Sequence, residues 1–256
     1  MRYRGSFLGM IWTYVKPATQ LIVYYVAMGR FLRLNNQINN YVVYLFSGMV
    51  IINVFNEVMR NTTASIVDNA PLVGKVYMPR ELFPVASLWV AIIHFLPQLA
   101  VLLVGALLFG WRPGVMNLLA FLGGVILIAM FSLGLGLMFA AWNVLFRDAE
   151  NFVELIAMVS LWLSPVFYKW SMVSDAVPRW LWSIYQLNPL TVAVELFHYA
   201  FWAPTSGVAV AHATELIPPN FTIWLASATV MAVGVLLLGQ HVFRHHEPKF
   251  AEEVGR

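Results

Sequence analysis

The 256-residue sequence contains no cysteine, so it can form no disulfide bond, no thiolate-ligated metal site and no catalytic thiol. Charged residues are also scarce, at 11% of the chain, whereas an average soluble domain carries about 25%. A chain of this length needs more charges than that to cover a water-facing surface. Most of its outer surface is therefore expected to face lipid.

The sequence also lacks a phosphate-binding loop. The pair Gly74-Lys75 has neither the upstream glycine nor the following serine or threonine of that motif. If ATP drives this protein, ATP and magnesium must therefore bind to another chain. We expect no cofactor, no metal and no catalytic residue in this one. A tail with His241, His245 and His246 could bind a metal, but a solvated tail explains it more simply.

Apolar residues, in contrast, make up 61% of the chain, and the mean hydropathy is +0.74. A helix needs about 20 mostly apolar residues to cross a bilayer. Six stretches approach or exceed this length, at 11–29, 41–59, 82–110, 117–146, 152–166 and 221–243. The sequence therefore predicts a single-domain, all-α, polytopic membrane protein with six transmembrane helices over residues 1–256.

The stretch between the fifth and the last span, 167–220, has a different pattern. It contains two apolar runs that are each too short to span, separated by Asn188-Pro189. Four of the tryptophans lie here, which is typical of a membrane interface. We expect a re-entrant or interfacial helical hairpin before the last span.

Six spans place both termini on one side of the membrane, and the distribution of Lys and Arg indicates which side. Nine of these residues share the side of the termini: Arg2, Arg4, Arg60, Lys75, Arg80, Arg147, Arg244, Lys249 and Arg256. Five lie on the other side: Arg30, Arg33, Arg112, Lys169 and Arg179. By the positive-inside rule, both termini are predicted to be cytoplasmic.

A few polar side chains lie within or beside the predicted spans. His94 is deep in the third span, where a hydrogen bond to a neighbouring helix is the simpler interpretation and a functional role stays open. Glu57 and Glu154 lie near cytoplasmic ends, which suits salt bridges to a soluble partner. Tyr24 and Tyr25 could belong to an interfacial aromatic belt or stack on sugar rings in a glycan channel.

Five motifs, in chain order, resemble permease subunits of the ABC-2 class, polysaccharide-export branch. They are RYRGSFLG at 2–9, SIVDNA at 65–70 with KVYMPRE at 75–81, NVLFRD at 143–148, SPVFY at 164–168 with YQLNPLT at 185–191, and EPKFAE at 247–252. The resemblance runs nearly end to end. Family members usually carry an amphipathic interfacial helix before the first motif, whereas here that motif begins at residue 2. Either that helix is short or the true start lies upstream, which leaves the lipid head-group entry site open.

The resemblance implies a homodimer of six-span subunits in the inner membrane, with each subunit docked on its own ABC ATPase chain. It implies export of an undecaprenyl-diphosphate-linked glycan, such as O-antigen, or of a teichoic-acid precursor. The chain itself would then be a transport subunit and not an enzyme. The cytoplasmic segment 61–81 would couple to the ATPase through Asp68, Asn69, Lys75, Tyr77, Arg80 and Glu81.

The expected substrate path starts at Arg2 and Arg4, where an anionic pyrophosphate would enter, and passes Tyr24 and Tyr25. Arginine suits bidentate contact with phosphate, although plain positive-inside orientation also explains both arginines. ATP-driven movement of the 61–81 segment would part the first and fifth spans to form a channel. A drug or lipid exporter of the same class, a membrane-embedded glycan-lipid transferase and a secondary transporter are the alternatives.

Overall fold

The computed structural model describes residues 12–73, 78–207 and 216–250. Every regular element in these three ranges is helical. The long helices are α1 (Trp12–Tyr24, continued by a π-helical segment, Tyr25–Phe31), α2 (Tyr41–Asp68), α4 (Leu82–Leu108), α5 (Val115–Leu145), α6 (Ala149–Leu163) and α10 (Phe221–His246). The short ones are α3 (Ala70–Val73), α7 (Trp170–Ala176), α8 (Arg179–Leu187), α9 (Pro189–Phe197, continued by a π-helical segment, His198–Trp202) and single 3₁₀ turns at Leu34–Asn36, Ala203–Thr205 and Glu247–Lys249.

Four helices of the described chain, α2, α4, α5 and α10, are long and apolar enough to cross a membrane. The expectation of an all-helical, multi-pass protein is therefore confirmed. The first and fifth predicted spans correspond to α1 with its π-helical extension and to α6, which has 15 residues. Helix α6 is shorter than an ordinary span, and α1 reaches the length of one only together with its π-helical extension, so the total of six spans stays a prediction.

The second predicted span is too short, because α2 continues beyond residue 59 to Asp68. The last turns of α2 contain polar residues and yet are buried. Thr62, Thr63 and the nearby Ile66 are each 0% exposed. These small side chains pack against α5, which supplies the apolar surroundings that a sequence window cannot reveal. The connection expected at 61–81 is therefore largely helical before residue 74.

Helix α2 is the centre of the bundle and packs against α4, α5, α6 and α9. In its most apolar window 78% of the residues are buried, compared with 11% for α10, and α2 is the least apolar of the four long helices. Lipid offers no hydrogen bonds to a side chain, so helices at the lipid boundary must be apolar, whereas a helix enclosed by protein can carry polar residues. Of the four long helices, α2 alone meets that condition along most of its length.

Two glycines let α5 approach its neighbours closely, as their sequence spacing suggests. A Cβ atom on Gly134 would lie 2.7 Å from the backbone nitrogen of Leu236 in α10. A Cβ on Gly136 would lie 2.7 Å from the Cβ of Thr62 in α2. Residues two apart on a helix are separated by about 200° of rotation, so Gly134 faces α10 and Gly136 faces α2.

Helices α8 and α9 meet in a bend at Asn188-Pro189, where the sequence predicts a re-entrant or interfacial hairpin, and we call this helix pair the hairpin. The Asn188 side chain accepts a hydrogen bond from the backbone nitrogen of Leu190 at 3.1 Å, and Pro189 is the first residue of α9. Both features favour a helix start. All nine residues of α9 are buried, whereas Gln186 is the single buried residue of α8. The depth of this hairpin relative to the bilayer stays a prediction.

Candidate functional site

A buried polar cluster joins α2 to the hairpin, and we call Tyr44, Glu195 and His198 the hairpin cluster. The Tyr44 ring stacks on the His198 ring with centroids 3.8 Å apart. Its hydroxyl lies 3.0 Å from the carbonyl oxygen of Pro165 and 2.6 Å from that of Tyr168, so it can donate to either. Gly48 of α2 leaves room for the imidazole, because a Cβ there would lie 3.1 Å from the Nε2 of His198.

Two of the three titratable groups of this cluster, Glu195 and His198, lie in the hairpin, outside the four long helices. Glu195 Oε2 and His198 Nδ1 are 3.9 Å apart, and the two residues are 1% and 0% exposed. Burial raises the pKa of the Glu195 carboxyl well above 4.5, and burial lowers the pKa of His198 to about 3. Burial therefore favours the neutral form of both groups.

Neighbouring polar atoms of the hairpin have no hydrogen-bond partner in the described protein. They belong to Gln186, Thr191, Glu195 and His198. Each such atom costs about 1–3 kcal/mol when buried unpaired. These unpaired atoms lower the stability of the folded protein. Stability alone therefore does not explain why polar residues occupy the hairpin core.

Further hydrogen bonds attach the hairpin to both of its neighbours. The Trp202 indole donates to the carbonyl oxygen of Asn39 at 2.7 Å, next to the start of α2. The Trp111 indole, in the turn that joins α4 to α5, donates to the carbonyl oxygen of Ala200 at 2.9 Å. The Asn117 amide, in the first turn of α5, donates to the carbonyl oxygen of Tyr199 at 2.7 Å. The hairpin is thus held by α2 and by the α4–α5 turn together.

Two side-chain hydrogen bonds link α2 with α4 between the two ends of the bundle. The Asn53 amide donates to Gln98 at 3.0 Å, and His94 is hydrogen-bonded to Glu57. The simpler interpretation of His94, a hydrogen bond to a neighbouring helix, is confirmed. Glu57 was expected to form a salt bridge with a soluble partner. Within the described chain it pairs with this histidine, and whether it also contacts a soluble protein stays a prediction.

The opposite end of the bundle contains a charged contact between the start of α4 and the end of α10. We call Arg80, Glu81, Arg244 and Glu247 the α10 joint. The Arg244 guanidinium reaches both oxygens of Glu81, with Nε–Oε1 at 2.5 Å and Nη2–Oε2 at 3.4 Å. Arg80 donates its backbone N–H to Glu247 Oε1 at 3.3 Å, and its guanidinium donates to the Glu247 carbonyl oxygen.

Residues 1–202 match the family model described as ABC-2 type transporter. The chain belongs to this family. It is 30% identical to an O-antigen export system permease protein RfbA of Klebsiella pneumoniae, over 74% of this chain and 71% of that one. It is 28% identical to a protein of the same name from Myxococcus xanthus, over 99% of this chain and 90% of that one. The resemblance noted in the sequence is thereby confirmed.

The expected coupling residues of this ABC-2 chain are only partly described. Lys75 and Tyr77 lie outside the described residues, as do Arg2 and Arg4 of the expected substrate path. Asp68 is exposed at the last position of α2, and the Asn69 amide donates back to the carbonyl oxygen of Ser65 at 2.8 Å.

Arg80 and Glu81 were expected to face an ATPase, but in this ABC-2 chain they contact its own last helix and the turn after it. Whether they also touch a partner stays a prediction. Tyr24 and Tyr25 both pack within the subunit. Tyr24 meets Phe167 edge-on, with ring centroids 5.0 Å apart, and the Tyr25 ring centroid lies 6.4 Å from that of Tyr41.

Sequence reasoning did not assign Tyr44, Glu195, His198 or Arg244 to a site. The first three were concealed in apolar runs, where a single polar residue resembles an interfacial one. A signal for one pair existed, since Glu195 and His198 are three apart and therefore on one helical face. Arg244 carried no local signal, because its partner Glu81 is 163 positions away.

Proposed function

We propose that this chain is the membrane-embedded subunit of an exporter that moves lipid-linked polysaccharide across the inner membrane. The observation that carries the proposal is the similarity to O-antigen export permeases, which reaches 99% of this chain for the Myxococcus relative. The central buried helix and the lipid-compatible helices around it suit a transport subunit. The substrate class is O-antigen or a teichoic-acid precursor on an undecaprenyl-diphosphate carrier.

Energy for this transport comes from a separate ABC ATPase. The sequence lacks a phosphate-binding loop, and the family is one whose members are transport subunits. Two copies of the permease and two of the ATPase make the working unit. The ATPase docks on the cytoplasmic segment around residues 68–81.

The glycan passes between two copies of the subunit when α1 and α6 move. Support comes from the loose packing of α1, which leaves a cavity of about 280 Å³ against α2 and α4. Its lining is mostly apolar: Pro17, Ala18, Leu21, Ile22, Phe46, Gln98 and Val101. An interface with such a gap loses dispersion contacts, so separating α1 costs less than separating close-packed helices. Arg2 and Arg4 receive the pyrophosphate, and Tyr24 and Tyr25 line the path nearby.

The test is reconstitution of the permease with its ATPase and an undecaprenyl-diphosphate-linked O-polysaccharide in proteoliposomes. We expect ATP-dependent appearance of the glycan on the opposite leaflet, and no ATP hydrolysis by the permease alone. The matched control is an ATPase without its phosphate-binding lysine. ATP hydrolysis by the isolated permease would contradict the proposal that a separate chain supplies the energy. Stimulation of the ATPase by a small lipid or drug, but not by the glycan, would favour the alternative exporter.

The topology has a separate test that uses the absence of cysteine. Single cysteines at positions 75 and 174 should react differently with an impermeant thiol reagent added to cells with a permeabilised outer membrane. Position 174 should be labelled from outside and position 75 only after the inner membrane is opened. Labelling of position 75 from outside would refute cytoplasmic termini.

A further inference from the structure

The segment on either side of residues 74–77 is docked on the end of α10. On one side, Val73 belongs to a buried apolar cluster with Phe243 and Phe250. On the other side, Arg80 and Glu81 make the polar contacts of the α10 joint. One structural element, the last turn of α10 with the residues after it, therefore supports both flanks of the connection between α2 and α4.

An apolar contact keeps this element in place. Phe243 and Phe250 are both 0% exposed, and their rings meet edge-on with centroids 5.1 Å apart. They pack with Ile66 of α2 and with Ala140 and Ala141 of α5. The chain after α10 is thus folded back into the bundle as far as Phe250.

The charges of the joint match the helix ends on which they lie. Glu81 is the residue before the first turn of α4, and Arg244 is in the last turn of α10. A negative charge is favoured at a helix N-terminus and a positive charge at a C-terminus. The bidentate geometry adds directional specificity to the pair. With the Glu81 and Arg244 side chains 31% and 60% exposed, however, this pair contributes little to stability.

We propose that the α10 joint is a rigid mechanical link, through which movement of the 68–81 connection is passed to α10. Arg80, Glu81, Arg244 and Glu247 are positioning residues in this scheme. The inference rests on the proposed function, since it identifies the element that receives force from the ATPase. It differs from the sequence expectation, in which Arg80 and Glu81 contact the ATPase directly.

Helix α10 is suited to carry that movement across the membrane. Its 26 residues extend about 39 Å. It packs against α5 at the close Gly134 and Gly239 contact, and against α8 and α9 of the hairpin. Phe221 and Trp224 in its first turn pack against the large apolar core that includes α9, whereas Phe243 in its last turns belongs to the cluster beside the joint. A single element therefore contacts the joint at one end and the core around the hairpin at the other.

The test is a charge swap in the complete permease–ATPase complex, with glycan exported per ATP hydrolysed as the readout. Glu81→Arg and Arg244→Glu should each lower this ratio by about five-fold or more, within the usual range of coupling effects. The double variant restores the pair in reverse and should recover most of the ratio. If Glu81 contacted the ATPase directly, Arg244→Glu would be silent and the double variant would stay defective, which would overturn the proposal.

A matched control is available on the same tail. The Lys249 side chain is exposed and has no hydrogen-bond or ion-pair partner among the described residues, so Lys249→Glu makes the same charge change as Arg244→Glu without breaking a contact. It should leave the ratio unchanged. A loss equal to that of Arg244→Glu would mean that the tail's net charge matters and not the joint, and would also overturn the proposal.

Two measurements test the α10 joint independently of which substrate the protein exports. A cysteine at position 78 should react faster with thiol reagents in either single variant than in the wild type or the swap, whatever the substrate. Equal reactivity in all four proteins would refute the link itself. In addition, a short bifunctional thiol reagent joining cysteines at 81 and 244 should leave export intact. Arrest of export by this cross-link would show that the joint opens during transport and is not rigid.

Discussion

The hairpin cluster and the α10 joint both hold together segments that are far apart in sequence, but with opposite chemistry. The cluster is sealed from solvent and relies on ring stacking and hydrogen bonds between uncharged groups. The joint uses exposed full charges. A charge that loses its water without compensation is costly, whereas an exposed pair adds little to the free energy of unfolding. The comparison indicates that the hairpin cluster stabilises a permanent attachment. The joint, in contrast, fixes the orientation of α10 relative to the start of α4 and contributes little stability.

The largest effect is expected from removing the ring of Tyr44. Tyr44→Ala deletes the stack on His198 and both hydroxyl contacts, so the free energy of unfolding should fall by about 3–5 kcal/mol, as for other buried aromatic residues. Thermal or denaturant unfolding of the protein in detergent measures this change.

Tyr44→Phe is the matched control, because it keeps the ring and removes only the hydroxyl. We expect a loss of about 1–3 kcal/mol, the cost of the unpaired carbonyl groups. If Tyr44→Ala is no worse than Tyr44→Phe, the ring does not anchor the hairpin and the contrast between the two regions fails.

A smaller, pH-dependent effect is expected at Glu195. Its folded-state pKa lies above the unfolded value, so the folded protein keeps a proton that the unfolded chain has already released. The contribution of Glu195 to stability should therefore fall as the pH rises above about 4.5 toward the folded pKa. Buried His198 has the opposite effect up to its unfolded pKa of 6.5, so the fall is to be measured above that pH. The slope cannot exceed about 1.4 kcal/mol per pH unit for a single group.

Glu195→Gln should abolish this slope and be at least as stable as the wild type at alkaline pH. The titratable groups that face Glu195 are His198, Tyr44 and Tyr185, and the variant retains all three residues. Unfolding followed from about pH 7 to about pH 9 in both proteins tests this, a window above the unfolded pKa values of both a glutamate and a histidine. A parallel slope in the variant would assign the pH dependence to another group.

The smallest change in stability is expected at the α10 joint. Arg244→Gln or Glu81→Gln should leave the free energy of unfolding almost unchanged, since the pair is exposed to solvent and salt. Unfolding at low and high salt measures the contribution. A loss as large as that of Tyr44→Ala would show that the joint is a structural anchor like the hairpin cluster.

Much of the helical plan could be predicted from local signals. Apolar runs placed α4 and α10 within a few residues of their observed bounds, and Asn188-Pro189 marked the bend of the hairpin. These features depend on residues close together in sequence. The extension of α2 to Asp68 was missed because its buried threonines depend on α5 for their surroundings.

By itself, the sequence determined a cysteine-free, all-helical membrane protein and, through its ordered motifs, its ABC-2 family. Composition and local periodicity suffice for this, because a lipid-facing helix must be apolar along its own length. Only the tertiary structure decided which helix is central, that His94 pairs with Glu57, and that Glu81 meets Arg244. Those two pairs join residues 37 and 163 positions apart, and their energies exist only once the helices have packed.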